Sequence, residues 1–171
     1  MIREAIKIGV VVERRKLENP WIDHAWIPNA VLPGAPAAAA WTVLDETPKA
    51  TRFYAGSFEL EFFSTDTGGY RDNLRSGRPS LWVSLRPSAA PPGVTLWTVT
   101  ADPWEGEALT EPGTDIIEAV PMPSAIQARL AAFVEAYHVE RPFIKRKRDR
   151  ANPEALAMRA PGSRPPQRGD E

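Results

Sequence analysis

The chain contains no cysteine and only two histidines among its 171 residues. The absence of thiols excludes disulfides, cysteine zinc sites, iron–sulfur ligation and thiolate catalysis, and it suits the reducing cytoplasm, where we expect the protein. His24 and His138 stand in no ligand or triad spacing with a second strong partner. We therefore predict no metal site and no bound cofactor.

The usual motifs of phosphate and acyl chemistry are also missing. The sequence has no Gly-x-Gly-x-x-Gly, no P-loop and no Gly-x-Ser-x-Gly. Asp102, Glu105 and Glu107 could together hold Mg²⁺, but helix capping and a solvated helix face explain their spacing as well. We predict no catalytic residue, so the sequence favours a non-enzymatic role and leaves an enzymatic one open.

Long apolar runs are scarce, whereas charge is unevenly distributed. The apolar run 8–12 is too short for a membrane span or a signal peptide, so a soluble protein is expected. Residues 1–139 carry twelve Lys/Arg against seventeen Asp/Glu, a net charge of −5, whereas residues 140–171 carry nine against five, a net charge of +4. We predict one domain over 1–140 and a basic, proline-rich, largely disordered tail over 141–171.

Hydrophobic alternation predicts a mainly β body. Apolar side chains recur at every second position, or β-branched residues dominate, in the stretches 6–12, 25–32, 58–62, 81–86, 94–100 and 115–120. The stretch 41–44 is a further strand candidate, although the alanine run before it is also compatible with a short helix. The turn residues 65–69 predict a hairpin whose second arm is 70–74.

Two helices are predicted in the C-terminal half. Asp102 offers a cap, Pro103 suits the first helical position and Glu105 lies three residues after the cap, which indicates a helix over 103–110. Ser124 and Gln127 have the spacing of a capping box, and a helical apolar stripe follows them: Ile126, Leu130, Phe133, Val134 and Tyr137. We therefore predict an α+β fold, a mainly antiparallel sheet with the helix 124–139 packed on it.

Two features indicate a binding surface. Trp21 and Trp26 lie near Pro20 and Pro28, where the core periodicity does not require an aromatic residue, although burial in the core also explains them. The tail opens with an apolar anchor and a basic run: Phe143, Ile144, Lys145, Arg146, Lys147, Arg148 and Arg150. An acidic protein, a nucleic-acid backbone, an anionic membrane surface and a merely solubilising tail all stay open, and the lack of interleaved aromatics disfavours nucleic acid.

Several segments spread along the whole chain support a family resemblance. They are Gly9-Val10-Val11-Val12-Glu13-Arg14-Arg15, Pro20-Trp21, Val31-Leu32-Pro33-Gly34-Ala35-Pro36, Tyr70 with Asn73-Leu74, Trp82-Val83 with Leu85-Arg86, Val99-Thr100-Ala101, Val120-Pro121-Met122-Pro123 and Phe143-Ile144-Lys145-Arg146-Lys147-Arg148. With them the chain resembles a family of uncharacterised bacterial proteins encoded beside molybdenum-dependent formate dehydrogenase genes, near other maturation factors.

The resemblance implies a cellular process, formate dehydrogenase maturation. It implies no catalytic residues, because none is established for the family. It implies a non-catalytic accessory factor for the maturation or assembly of a molybdenum-dependent formate dehydrogenase, binding a dehydrogenase subunit or another maturation factor. The expected contact residues are Trp21, Trp26, Phe143, Lys145, Arg146, Lys147, Arg148 and Arg150. One alternative is a molybdopterin- or nucleotide-binding enzyme, because some relatives carry a label of molybdopterin guanine dinucleotide biosynthesis. A nucleic-acid binder using the basic tail is the other.

Overall fold

The computed structural model describes residues 1–140, which contain seven strands and three helices. The elements follow the chain in this order: β1 Arg3–Lys16, β2 His24–Leu32, β3 Thr42–Glu46, β4 Ala50–Phe63, α1 Thr67–Arg75, β5 Ser80–Pro87, β6 Val94–Thr100, α2 Pro103–Ala108, β7 Ile116–Pro121 and α3 Ser124–Tyr137. The predicted tail 141–171 and its basic run lie outside the described residues.

The first sheet has the strand order β2-β1-β4-β3 and is antiparallel throughout. In β1, Ile8, Val10 and Val12 are completely buried, as the alternation predicts for a strand with one core face. The outer face of β1 is also partly covered, because the chain after β2 crosses it near Gly9. A Cβ on Gly9 would lie 2.9 Å from the Tyr54 ring and 3.1 Å from the Gly34 carbonyl oxygen. Glycine is thus required there for close approach of the backbone.

The second sheet has the order β6-β5-β7 and is also antiparallel. Leu81, Val83 and Leu85 of β5 are completely buried between the two sheets. β2 packs against β7, and β4 packs against β6. The predicted α+β class and antiparallel pairing are confirmed, but the prediction of one sheet is wrong. After β4 the chain enters α1, and the strands that follow pair only with one another.

The predicted hairpin over 65–74 is wrong, because residues Thr67–Arg75 form α1. Gly68 and Gly69 suggested a turn, but Gly69 lies inside the helix, where its lack of a Cβ makes room for the carboxylate of Asp102. Tyr70 and Asn73 are buried one helical turn apart. The Asn73 amide donates to the carbonyls of Ser80 and Ala101 and accepts from the Ser80 N–H, at 2.8–3.0 Å, and so fixes α1 to both β5 and the end of β6.

The predicted C-terminal helix is confirmed as α3, but both of its ends differ from the prediction. The helix ends at Tyr137, two residues earlier than predicted. Pro123 occupies the N-cap position and Ser124 is the first helical residue, so the predicted capping box does not form. The Gln127 side-chain amide instead donates to the Met122 carbonyl at 2.7 Å. α3 packs chiefly against α1, and it reaches the first sheet through Phe133, whose ring centroid is 5.8 Å from that of Phe62.

Candidate functional site

The most exposed aromatic side chain among the described residues is Trp21, at the tip of the loop 17–23 that joins β1 to β2. We call this segment the Trp21 loop. Trp21 is 90% exposed, Ile22 57% and Leu17 38%. A cluster of three exposed apolar side chains on one short loop has no role in the core. The segment therefore has the composition of a contact surface for another molecule.

Hydrogen bonds hold the Trp21 loop in shape. The Leu17 N–H donates to the Asp23 carbonyl at 2.9 Å and closes the base of the loop. The Trp21 N–H donates to the side-chain oxygen of Asn19 at 2.9 Å, which fixes the turn just before the indole. The strand end below is tied to the neighbouring β3–β4 turn, since the Lys16 N–H donates to the Lys49 carbonyl at 2.8 Å. A loop ordered in advance loses little entropy when a partner covers it.

Trp26, the second predicted contact residue, lies in the core and is only 8% exposed. Its ring packs edge-on against Trp41, with 5.6 Å between ring centroids, and at a tilt of 46° against Phe53, with 5.8 Å between centroids. The Arg14 guanidinium lies 5.8 Å from the Trp26 ring centroid and 5.4 Å from that of Phe53, covering the cluster from the solvent side. In this structure Trp21 is therefore accessible from the solvent and Trp26 is not.

Two more tryptophans are exposed, and the sequence did not single them out as contact residues. Trp97 of β6 is 49% exposed and lies under the Arg86 guanidinium, 3.5 Å from its ring centroid. Arg86 also donates three hydrogen bonds to Asp115, at 2.9, 3.0 and 3.3 Å, which hold the pKa of that carboxyl below its ordinary value. Trp104 of α2 is 60% exposed. The sequence places Trp104 near the start of a predicted helix. That position does not show whether its side chain faces the core or the solvent.

The carboxylates considered as magnesium ligands cap and support α2. The Asp102 carboxylate accepts the Trp104 N–H at 3.0 Å, and Glu105 accepts the Thr100 hydroxyl at 2.6 Å. Burial raises the pKa of Asp102, against the opposing effect of the bond from the Trp104 N–H. Burial also raises the pKa of the nearby Tyr70 to about 12. Within residues 1–140, no group of three or more His, Asp or Glu side chains is arranged to hold a metal ion.

The two histidines make local contacts. His24 Nδ1 is 2.6 Å from the Asp23 carboxylate at the base of the Trp21 loop. His138 Nε2 is 2.9 Å from the Arg71 guanidinium, and its Nδ1 is 3.1 Å from the Thr67 hydroxyl. Because a guanidinium only donates, Nε2 of His138 accepts and Nδ1 carries the proton. His138 thereby ties the end of α3 to α1.

The remaining predicted contact residues have no described position. They are Phe143, Lys145, Arg146, Lys147, Arg148 and Arg150, all beyond residue 140. Of the residues predicted to bind a partner, the described structure therefore exposes Trp21 and buries Trp26. Ile22 and Leu17 of the same loop are exposed as well.

The two sheets and three helices define an α+β protein. Its Trp21 loop is ordered by hydrogen bonds and exposes apolar side chains. The chain belongs to the family described as protein of unknown function (DUF3305), whose model matches residues 7–147. No curated protein and no solved structure matches the chain. None of the helices in residues 1–140 is long and apolar enough to cross a membrane.

Proposed function

We propose that this protein is a non-catalytic, cytoplasmic accessory factor that binds a protein partner during the maturation or assembly of a molybdenum-dependent formate dehydrogenase. The partner is a dehydrogenase subunit or another maturation factor. The observation that carries the binding role is Trp21, which is 90% exposed on a loop closed by its own hydrogen bonds. The formate dehydrogenase setting comes from the family resemblance of the sequence.

An exposed indole is a favourable binding group, because covering its apolar surface with a partner lowers the free energy of the complex. A tryptophan side chain buries about 150–250 Å² when it is covered, and interface tryptophans are among the residues whose truncation costs about 2 kcal/mol or more in binding free energy. Ile22 and Leu17 widen the apolar surface around it. The acids Glu18 and Asp23 of the same loop are exposed and would supply polar contacts at its margin.

The basic run of the tail supplies a second, electrostatic part of the proposed contact. Lys145, Arg146, Lys147 and Arg148 would steer an acidic partner surface toward the protein, and Phe143 would add an apolar anchor. Electrostatic attraction weakens as salt rises, because the screening length is about 8 Å at physiological ionic strength and shorter above it. An apolar contact through Trp21 resists salt, so the two contributions can be measured separately.

A deletion strain tests the cellular role. Loss of the gene should lower formate dehydrogenase activity and the molybdenum content of the purified enzyme, and the wild-type gene on a plasmid should restore both. The tail variant with Lys145, Arg146, Lys147 and Arg148 all changed to Ala should restore them only in part. Full activity and normal molybdenum loading in the deletion strain would refute the maturation role. Tight, salt-sensitive binding of the pure protein to DNA or RNA would favour a nucleic-acid role in its place.

A further inference from the structure

We propose that the surface around Trp104 is a docking site for an arginine-rich segment of another protein. Trp104 lies in the first turn of α2 and is 60% exposed. Its ring reaches the start of α1, because a Cβ built on Gly68 would lie 3.9 Å from the edge of the ring. We define the Trp104 surface as Asp66, Gly68, Trp104, Glu105 and Glu107, at the start of α1 and along α2.

The negative charge of residues 1–139 comes from the segment that contains α2. The stretch 87–128 has no Lys, Arg or His and has six acids: Asp102, Glu105, Glu107, Glu111, Asp115 and Glu118. The rest of residues 1–139 has twelve Lys/Arg against eleven Asp/Glu and is nearly neutral. A field of one sign that is concentrated on one segment attracts ligands of the opposite sign to that segment. The ligand that charge favours at the Trp104 surface is therefore cationic.

The carboxylates of the Trp104 surface have no cation beside them in the described part of the chain. None of the ion pairs within residues 1–140 includes Asp66, Glu105 or Glu107. Asp66 precedes α1, but its side chain makes no capping hydrogen bond. Burial raises the pKa of Asp102, and the neighbouring charges of Asp66 and Glu105 raise it further. These acids thus repel one another, and an incoming cation would offset that repulsion.

The chain itself shows how an indole and a carboxylate together hold a guanidinium. The Arg86 guanidinium lies 3.5 Å from the ring centroid of Trp97 and donates hydrogen bonds to the Asp115 carboxylate. The Trp104 surface offers the same two kinds of group, an exposed indole and carboxylates. No guanidinium of residues 1–140 covers Trp104. Because arginine stacks on aromatic rings and binds carboxylates through its planar fork, an arginine of a partner fits this surface best.

The ligand should carry more than one arginine. A single exposed charge pair contributes little to affinity, so several are needed for measurable binding. Glu107 and Glu111 are exposed and follow Trp104 along the chain, and they would meet further arginines of the same segment. Such a ligand differs from the acidic surface that the proposed function gives to the basic run of the tail. The two kinds of binding are therefore independent of each other.

Peptide binding to the full-length protein tests the proposal. The probe is a fluorescein-labelled octapeptide in which arginine alternates with glycine, and fluorescence anisotropy is measured at low ionic strength, where exposed charges are least screened. A peptide with citrulline in place of arginine keeps the shape and loses the charge. We expect the arginine peptide to bind at least about ten times more tightly than the citrulline peptide and about three times more tightly than a lysine peptide.

Matched variants locate the site. Trp104→Ala should weaken binding of the arginine peptide by about tenfold, whereas Trp97→Ala should change it by less than about twofold, because Arg86 already covers that ring. Glu107→Gln should also weaken binding and should reduce its dependence on salt. Circular dichroism checks that each variant is folded. Trp21→Ala should bind the peptide normally, so failure of the proposed function and failure of this proposal are distinguishable.

Three results would overturn the proposal. The first is equal affinity of wild type and Trp104→Ala for the arginine peptide. The second is citrulline or lysine peptide bound as tightly as arginine peptide. The third is binding that appears only after Lys145, Arg146, Lys147 and Arg148 are all changed to Ala, which would assign the surface to the basic run of the same chain in place of a partner.

Discussion

Gly69 of α1 lies directly against the carboxylate of Asp102, the residue that caps α2. A Cβ built on Gly69 would overlap that carboxylate, whereas one built on Gly68 would meet only the far edge of the Trp104 ring, at 3.9 Å. This contact brings the starts of the two helices together. It also explains why position 69 requires glycine, although it lies inside a helix of nine residues.

The first prediction compares these two glycines. Gly69→Ala should lower the free energy of unfolding by about 1–3 kcal/mol, because the added methyl group must displace a buried carboxylate. Gly68→Ala should leave stability unchanged or raise it by up to about 1 kcal/mol, since alanine favours a helix and has room. Urea denaturation of both variants checks this. Equal effects of the two substitutions would show that the Gly69–Asp102 contact is not close in solution.

The second prediction concerns the pH dependence of stability at Asp102. Because the folded state raises the pKa of this carboxyl, its contribution to stability is fully present below the unfolded pKa of about 3.8. That contribution is lost as pH rises through the raised value. Asp102→Asn keeps a good N-cap and does not titrate. The variant should therefore gain stability relative to wild type as pH rises from 3 to 7. A difference that stays constant over this range would contradict the assigned direction.

The third prediction separates the two tryptophans of the β1–β2 hairpin. Trp26→Ala should cost about 3–5 kcal/mol of folding stability, because it removes a ring from the cluster with Trp41 and Phe53. Trp21→Ala should change stability by less than about 0.5 kcal/mol, since its side chain is 90% exposed. Thermal unfolding followed by circular dichroism measures both. A large loss of stability in Trp21→Ala would remove the argument that Trp21 is kept for binding.

The fourth prediction concerns Asn73. Its side chain makes one buried hydrogen bond to the Ala101 carbonyl and two partly buried ones to the main chain of Ser80, and Asn73→Ala would remove all three. The expected cost is about 2–4 kcal/mol, since each buried group left unsatisfied costs about 1–3 kcal/mol and the groups can partly relax. Asn29→Ala, at an exposed position, is the control and should be nearly neutral. Equal melting temperatures for the two variants would show that Asn73 does not link α1 to the second sheet.

Much of the fold could be predicted from local patterns. The bounds of β6 were predicted residue for residue, and those of β2 within one residue, because β-branched and aromatic residues there end at proline or glycine loops. α3 was predicted from its apolar stripe, and the cap of α2 from Asp102. In each case the signal lies within one short segment.

The errors come from contacts between distant segments. α1 was missed because Gly68 and Gly69 are local turn signals, whereas the helix depends on contacts with Asp102, Ser80 and Ala101. The sequence offered no means of telling an exposed Trp21 from a buried Trp26, because both residues lie near a proline and outside a clear core periodicity. The two differ in the folded chain, because Trp26 pairs with Arg14 in the sheet and its ring is buried beneath the Arg14 guanidinium, whereas Trp21 lies in a loop. The exposure of Trp104 had no sequence signal for the same reason.

Binding of a protein partner by the Trp21 loop, as proposed above, is tested by one comparison of affinities. Purified formate dehydrogenase subunits and companion maturation proteins are titrated calorimetrically with wild type, Trp21→Ala and the control Trp104→Ala, whose side chain is 60% exposed elsewhere on the surface. We expect Trp21→Ala to weaken binding by about 30-fold, equivalent to about 2 kcal/mol, and Trp104→Ala to change it by less than about twofold. Equal affinities for Trp21→Ala and wild type would contradict the proposal.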